Sequence, residues 1–303
     1  MTSLGFALWV PITLLAALFQ TWRTALQQRL RGQLSVSAAG LVRYLYAVPV
    51  GLLLLAVYVG LTSQGLPAPT PRFLLGCLIC AVAQILGTSL LIMAFGYRNF
   101  AVGTAYSKTD AMQAALVAWL LLGEVLAPGA RAGIALGVVG VLTLSLSGRA
   151  PGTLLRAVGQ PAALCGLGAG TGFAVAGVSV KFATLGFGSD PILAALCALV
   201  LTNLTQTVLQ GGFMAWREPS GLHAALLHWQ DAMWVGVLSA CGSACWFSAF
   251  SLAPVALVRT VGQAEMPLTL LFSRFYLHET LRRADGLGLV LVVAGVIMVL
   301  LFH

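Results

Sequence analysis

Charged side chains are scarce in this sequence of 303 residues: Asp, Glu, Lys and Arg make up 8% of it, while 59% of the residues are hydrophobic. Soluble domains carry about 25% charged residues. A single soluble core stops growing at about 250–300 residues, so a water-soluble chain of this length could not bury so many apolar side chains. The composition excludes a soluble protein and indicates an integral membrane protein.

Acidic residues are fewer than basic ones, and the formal net charge is +8. A nucleic-acid-binding protein needs its basic residues clustered on one face of a polar domain. Here they are scattered between apolar runs. We therefore expect no nucleic-acid partner, and the loop arginines are better used to predict membrane topology.

Histidine is also rare. The four histidines lie at the ends of apolar runs or between them, so a serine inside a run has no base within reach. The six cysteines all fall inside apolar runs, where cysteine behaves as a small hydrophobic residue and no histidine accompanies it. We expect no enzyme activity, no metal site and no cofactor.

Long apolar runs dominate the sequence instead. A helix that crosses a bilayer needs about 20 mostly apolar residues. The connectors between the runs are too short for a soluble domain, so we predict an all-α integral membrane protein with ten transmembrane helices in the lipid bilayer. The ten predicted spans are Leu4–Leu26, Val36–Gly60, Phe73–Phe95, Ala101–Leu122, Gly129–Ser147, Pro161–Thr184, Pro191–Ala215, Ala232–Leu252, Val255–Tyr276 and Ala284–Leu301.

The sequence repeats itself after a shift of 155 residues. Asp110 then falls on Glu265, and Glu124 falls on Glu279. The match has no gap over spans 3–5 against spans 8–10, and it is much weaker for spans 1–2 against 6–7. Such self-similarity indicates a duplicated unit of five helices.

An odd number of spans in each copy has a topological consequence. A five-span unit ends on the opposite side of the membrane from its start, so the second copy is inserted upside down. Inverted repeats of this kind are typical of secondary transporters, with the substrate site near the midplane at the repeat interface. We predict two inverted five-helix repeats, over residues 1–150 and 151–303.

A short motif follows the fourth span of each predicted repeat. Leu122-Gly123-Glu124 precedes a glycine-rich fifth span, and Leu277-His278-Glu279 precedes its counterpart. With ten spans in two halves, this resembles the drug/metabolite transporter superfamily, EamA type, in architecture over essentially the whole chain. The resemblance implies export or exchange of small metabolites, such as amino acids or their relatives, without ATP hydrolysis. It also implies a cell membrane location, in the inner membrane of a bacterium.

Loop arginines predict the orientation, because short cytoplasmic loops carry an excess of Lys and Arg. Eight lie after odd-numbered spans and two after even-numbered ones, so we expect both termini outside. Members of the resembled family are usually drawn with both termini inside. Two more, Arg23 and Arg274, lie near span ends, where we expect their guanidinium groups to extend to the interface. The eight are Arg29, Arg31, Arg98, Arg149, Arg156, Arg217, Arg282 and Arg283, and the two are Arg72 and Arg131.

Six charged residues lie deeper in the predicted spans: Arg43, Lys108, Asp110, Lys181, Arg259 and Glu265. A charge at the bilayer centre costs about 2.5–3.5 kcal/mol on insertion scales, so it usually faces a wet cavity or a partner. Lys108 and Asp110 would project about 200° apart on one helix, so we expect each to meet a group on another helix. The alternative to a role in cargo binding is internal salt bridging, for example of Asp110 with Lys181 or Arg259.

The six deep charges sum to plus two, and buried positive charge is costly without an anion. We therefore expect a small anionic or zwitterionic cargo. A carboxyl group in an apolar cavity also binds a proton more readily than one in water, which makes Asp110 and Glu265 our candidates for proton coupling. The candidates for substrate binding are Arg43, Gln84, Tyr106, Lys108, Lys181, Trp246, Arg259 and Gln263.

The sequence leaves two alternatives open. A flippase for a lipid or lipid precursor with an anionic head group would share the basic cavity, but its cavity would open sideways to lipid. Small residues at four-residue spacing, as in Gly129-x3-Gly133-x3-Gly137 on span 5 and Ala284-x3-Gly288 on span 10, let helices approach closely. We expect these two spans to pack within one chain, and a dimer face is the alternative, so the protein is a monomer or a homodimer.

Overall fold

The computed structural model describes residues 3–30, 34–96, 106–145, 160–227, 229–266, 268 and 283–302. These residues form helices and contain no strand, which confirms the predicted all-α class. The helices are α1 (Ser3–Leu30), α2 (Val36–Leu45), α3 (Ala47–Thr62), α4 (Pro71–Gly96), α5 (Asp110–Leu122), α6 (Pro128–Ser145), α7 (Pro161–Thr184), α8 (Pro191–Arg217), α9 (Pro219–Leu227), α10 (Trp229–Leu252), α11 (Val255–Gly262) and α12 (Arg283–Leu301).

Several of these helices are long and apolar enough to cross a membrane. Within the described residues, five stretches meet this criterion, and α5, α6 and α12 contain shorter apolar stretches. The five are Val36–Thr62, Pro71–Ala94, Pro161–Thr184, Pro191–Arg217 and Ala232–Leu252.

Most predicted spans coincide with described helices, and two details differ. The second span is divided at Tyr46 into α2 and α3. The connector after α8, which its Pro and Gly predict to be a turn, forms the short helix α9. Pro219 is its first residue, a position where proline fits a helix because its missing N–H would have no partner there. The start of the fourth span and the end of the ninth lie outside the described residues.

Asp190 begins α8 and ties it to the end of α3. Its Oδ1 accepts the backbone N–H groups of Ile192 (2.8 Å) and Leu193 (3.3 Å), and its Oδ2 accepts the Tyr58 hydroxyl (2.7 Å) and the Gln64 amide (3.1 Å). Burial acts to raise the pKa of Asp190, but these four hydrogen bonds together outweigh it and hold the pKa below its usual value. The cap therefore favours the ionised carboxylate.

The chain divides into two compact units by its internal contacts. The first unit comprises residues 1–85 and 176–253, and the second comprises residues 86–175 and 254–303. In the first unit, α10 packs against α1, α2, α3 and α8; in the second, α6 packs against α12, and α5 against α11. Each unit thus combines segments from both halves of the sequence. The division into sequence repeats over 1–150 and 151–303 stays a prediction.

Glycines bring α6 and α12 into close contact in the second unit. A Cβ added at Gly133 would lie 2.9 Å from the carbonyl oxygen of Gly295, and one at Gly140 would lie 2.5 Å from the backbone nitrogen of Val292. Only a residue without a side chain permits backbones this close. The prediction that spans 5 and 10 pack within one chain is confirmed.

This packing predicts a cost for any larger residue at Gly133. We expect Gly133→Val to destabilise the protein by about 1–3 kcal/mol, because the new side chain would force α6 and α12 apart. The measurement is the melting temperature of the purified protein in detergent. Gly60→Val is the matched control, since Gly60 is also helical but a Cβ added there would have nothing within 4 Å. Equal melting temperatures for the two variants would contradict the packing argument.

Candidate functional site

Two helical segments of the second unit are interrupted at corresponding positions. Residues 106–107 are helical, a turn covers 108–109, and α5 begins at Asp110. After α11, a turn covers 263–264 and residues 265–266 are helical again. The two turns are 155 residues apart, which is the shift found in the sequence. Discontinuous helices in a membrane protein expose polar backbone groups and are common at transport sites.

Buried ion pairs join these two interrupted segments. Lys108 pairs with Glu265, and Arg259 Nη1 lies 3.3 Å from Asp110 Oδ2. The four side chains are between 11% and 21% exposed. Each segment therefore supplies one base and one acid, and the four charges sum to zero. The prediction that Lys108 and Asp110 each meet a group on another helix is confirmed.

Of the two salt-bridge partners suggested for Asp110, the structure shows one. Asp110 pairs with Arg259, whose Nη2 also donates to the carbonyl oxygen of Phe173 at 2.9 Å. Lys181 belongs to the first unit, where its Nζ donates to the carbonyl oxygen of Ala253 at 3.0 Å. In the low dielectric of a protein interior, removing one member of a buried pair costs more than the pair itself contributes. The α5–α11 contact is therefore sensitive to each of its charges.

Polar side chains surround the two turns. Gln113 donates to Thr109 Oγ1 (2.8 Å) and accepts from Thr171 Oγ1 (2.6 Å), while Thr109 Oγ1 donates to the carbonyl oxygen of Tyr106 (2.7 Å). Gln263 is buried and faces Gly137, and its amide nitrogen and oxygen have no hydrogen-bond partner in the described part of the chain. Buried amide groups without a partner are rare in proteins, which marks Gln263 as a group available to a ligand.

The remaining sequence candidates lie in the first unit. Gln84 accepts a hydrogen bond of 2.9 Å from the buried Gln206, and Trp246 donates its indole N–H to Gln20 at 3.1 Å. Arg43 is also buried, with 9% of its surface exposed. The ten candidates thus divide into six in the second unit (Tyr106, Lys108, Asp110, Arg259, Gln263 and Glu265) and four in the first (Arg43, Gln84, Lys181 and Trp246).

The burial of Arg23 contradicts the prediction for its side chain. We expected its side chain to extend to the membrane interface, yet it is 9% exposed. The physical reason is that α1 packs against α10, where Gln20, one turn before Arg23, bonds Trp246. The spacing of Gln20 and Arg23 (i, i+3) places both on one helix face, and this spacing could have indicated that Arg23 is buried with Gln20. Arg274, which carries the same expectation, lies outside the described residues.

No metal site is found in this part of the protein: the described residues contain no group of three or more His, Cys, Asp or Glu side chains that could hold an ion. The described cysteines are all in the thiol form.

The ion pair between α5 and α11 can be tested by removing its partners in turn. We expect Asp110→Asn to destabilise the protein by about 3–5 kcal/mol, because it leaves Arg259 buried without its carboxylate. The double variant Asp110→Asn with Arg259→Gln should recover most of this loss, since both charges are then absent. The measurement is the free energy of unfolding in detergent for all four members of the cycle. Strictly additive losses would show that the two residues do not interact.

Part of the chain matches a known family, and nearly all of it shares the fold of a solved structure. Residues 160–301 match the model of the EamA-like transporter family. Among curated proteins, none matches the sequence. A solved structure, titled only as the crystal structure of a protein, superposes with a TM-score of 0.68 at 17% identity and covers 96% of this chain and 95% of its own. That likeness shows a shared fold over nearly the full length. The match over residues 160–301 agrees with the resemblance that the motifs predict, and together with the apolar helices it indicates a multi-pass membrane protein.

Proposed function

We propose that the protein is a secondary transporter that exports or exchanges a small anionic or zwitterionic metabolite by alternating access. The observation that carries the proposal is the pair of interrupted segments in the second unit, joined by the ion pairs Lys108–Glu265 and Arg259–Asp110. Charged residues inside membrane proteins are costly and mark ion and substrate pathways. Here they occur in a chain whose residues 160–301 match the EamA-like transporter family.

Helix positions support two inverted five-helix repeats within ten spans. Adding 155 to the bounds of Val36–Thr62, which covers α2 and α3, gives 191–217, the bounds of α8. The same shift moves α6 from 128–145 to 283–300, and α12 is Arg283–Leu301. The agreement includes span 2 against span 7, where sequence similarity is weak. Inverted repeats allow the two halves of a transporter to exchange conformations.

Asp110 and Glu265 are the proposed proton-coupling residues. In the described conformation the Glu265 carboxylate pairs with Lys108, and the Asp110 carboxylate pairs with Arg259. If the carboxyl group binds a proton, it loses its attraction to that base, and Lys108 or Arg259 can then bind an anionic group of the cargo. Proton binding and cargo binding would thus depend on each other through a shared partner.

The sum of the charges supports an anionic cargo. The six deep charges of the sequence sum to plus two. An arriving anion would compensate this surplus. Our candidates for cargo contacts remain Arg43, Gln84, Tyr106, Lys108, Lys181, Trp246, Arg259 and Gln263. Location in a bacterial inner membrane with both termini outside is part of the same proposal.

Transport by reconstituted protein tests the function. In proteoliposomes with an imposed pH gradient, we expect accumulation of a carboxylate-bearing solute, found by screening amino acids and small organic acids. Glu265→Gln should lower gradient-driven accumulation at least about tenfold, the change that 1.4 kcal/mol produces. It should retain exchange of the same solute without a gradient. Glu124→Gln is the control, because Glu124 follows α5 in the same unit but lies outside the proposed set.

Two results would contradict this proposal. Unchanged gradient-driven accumulation by Glu265→Gln would exclude proton coupling through that residue. Translocation of labelled anionic lipids, without transport of any soluble anion, would instead support the flippase alternative.

A further inference from the structure

Gln263 carries a buried amide group at the turn that follows α11. Its side chain is 3% exposed, and neither its amide nitrogen nor its amide oxygen has a hydrogen-bond partner among the described residues. Such a group has lost its hydrogen bonds to water without replacing them, which is unfavourable. Because most buried polar side chains in proteins are hydrogen-bonded, the position of this amide needs an explanation.

The internal repeat explains why Gln263 has no charged partner. Under the shift of 155 residues, Gln263 corresponds to Lys108, which pairs with Glu265. The same pairing in the other copy would join Gln263 with Asp110. Asp110 pairs with Arg259 instead. Since Arg259 already compensates that carboxylate, the amide of Gln263 is not required for charge compensation.

A glycine on α6 leaves the space that the amide occupies. A Cβ added at Gly137 would lie 2.7 Å from Gln263 Oε1 and 3.4 Å from Thr260 Cγ2. Thr260 is fully buried, and its hydroxyl donates to the carbonyl oxygen of Ala256 at 2.9 Å within its own helix. Its methyl group therefore faces the glycine, and the Gln263 amide is the hydrogen-bonding group that points into this space.

The depth and the charge of this position suit a transported molecule. Gly137 is the tenth of the 18 residues of α6, so the amide lies beside the middle of that helix. Transporters with inverted repeats bind their substrates near the bilayer midplane. Arg259, one turn before Gln263, and Glu265, two residues after it, each have an oppositely charged partner. The amide thus offers an uncharged donor and acceptor beside charges that are compensated.

We propose that Gln263, in the space left by Gly137, binds a hydroxyl or carboxamide group of the cargo. Both of these groups donate and accept hydrogen bonds, as the two ends of the amide require. A carboxylate only accepts and an ammonium group only donates. The inference rests on the proposed function, because the group belongs to the transported molecule. It makes Gly137 and Gln263 determinants of cargo specificity.

Pairs of solutes with the same charge and nearly the same shape test this subsite. Threonine and valine differ in one hydroxyl group, malate and succinate likewise, and asparagine and leucine differ in a carboxamide. The melting temperature of the purified protein in detergent is measured against the concentration of each solute, because binding to the folded state raises it. We expect half-saturating concentrations at least about tenfold lower for the hydroxyl or carboxamide member of a bound pair.

Two variants remove the subsite in different ways. Gln263→Met replaces the amide by an apolar side chain of similar length and should abolish the preference within each pair. Gly137→Ala should do the same, because its methyl group would lie too close to Gln263 Oε1 and displace the amide. Gly286→Ala is the matched control and should keep the preference. Gly286 is a helical glycine of the same unit, and a Cβ added there has nothing within 4 Å.

The stability of Gln263→Met provides an independent readout. Without solute, its melting temperature should be no lower than that of the wild type, because the substitution breaks no hydrogen bond and removes an unsatisfied buried amide. This result would also show that the variant folds. A clearly lower melting temperature would show that the amide is already hydrogen-bonded, for example to buried water, and would overturn the subsite.

The outcomes separate this inference from the proposed function. Equal half-saturating concentrations within every pair, no saturable rise with any of the six solutes, or a preference retained by Gln263→Met would overturn the subsite, even if the protein transports an anion in proteoliposomes. A preference that is lost in Gln263→Met, together with absence of transport of the preferred solute, would support the subsite and overturn the proposed function. A preference retained by Gly137→Ala alone would overturn the role of Gly137.

Discussion

The cost of burying charge in a membrane protein governs this structure. The chain holds few charged residues, and four of those in the second unit form ion pairs. In the second unit, opposite charges compensate each other, because Lys108 pairs with Glu265 and Arg259 pairs with Asp110. In the first unit, Arg23 and Arg43 are also buried, and Lys181 donates to the carbonyl oxygen of Ala253.

Close helix packing supplies the rigid background for these charges. Glycines let the backbones of α6 and α12 approach within a distance that no side chain permits. The neighbouring segments, α5 and α11, are by contrast interrupted by turns at 108–109 and 263–264. The ion-paired residues of the second unit lie at or beside these turns. This is the arrangement that transporters with broken helices use near their substrates.

Much of the fold could be predicted from the sequence, because bilayer thickness fixes the length of each apolar run. Glycine spacing predicted the contact of spans 5 and 10 because close approach depends on local sequence. The break at Lys108 could not be predicted in this way, since neither proline nor glycine stands at 108 or 109. Our projection of Lys108 and Asp110 from a continuous helix therefore rested on an incorrect geometry, although its conclusion held.

Tertiary packing explains the other differences. Whether Arg23 reaches the interface or stays buried depends on the neighbours of α1, and sequence position alone does not reveal them. Similarly, Pro219 fits a turn and the first residue of a helix equally well, and here it begins α9. Both cases concern residues whose local preferences allow two structures.

In the proposed mechanism, an acid of the second unit gives up its basic partner to the cargo and takes a proton instead. Proton uptake on addition of glutamate to the purified, weakly buffered protein measures this exchange directly. By linkage, we expect uptake of about one proton per bound anion in the wild type. We expect none in the double variant Asp110→Asn with Glu265→Gln. Glutamate binding by the wild type without proton uptake would contradict the claim.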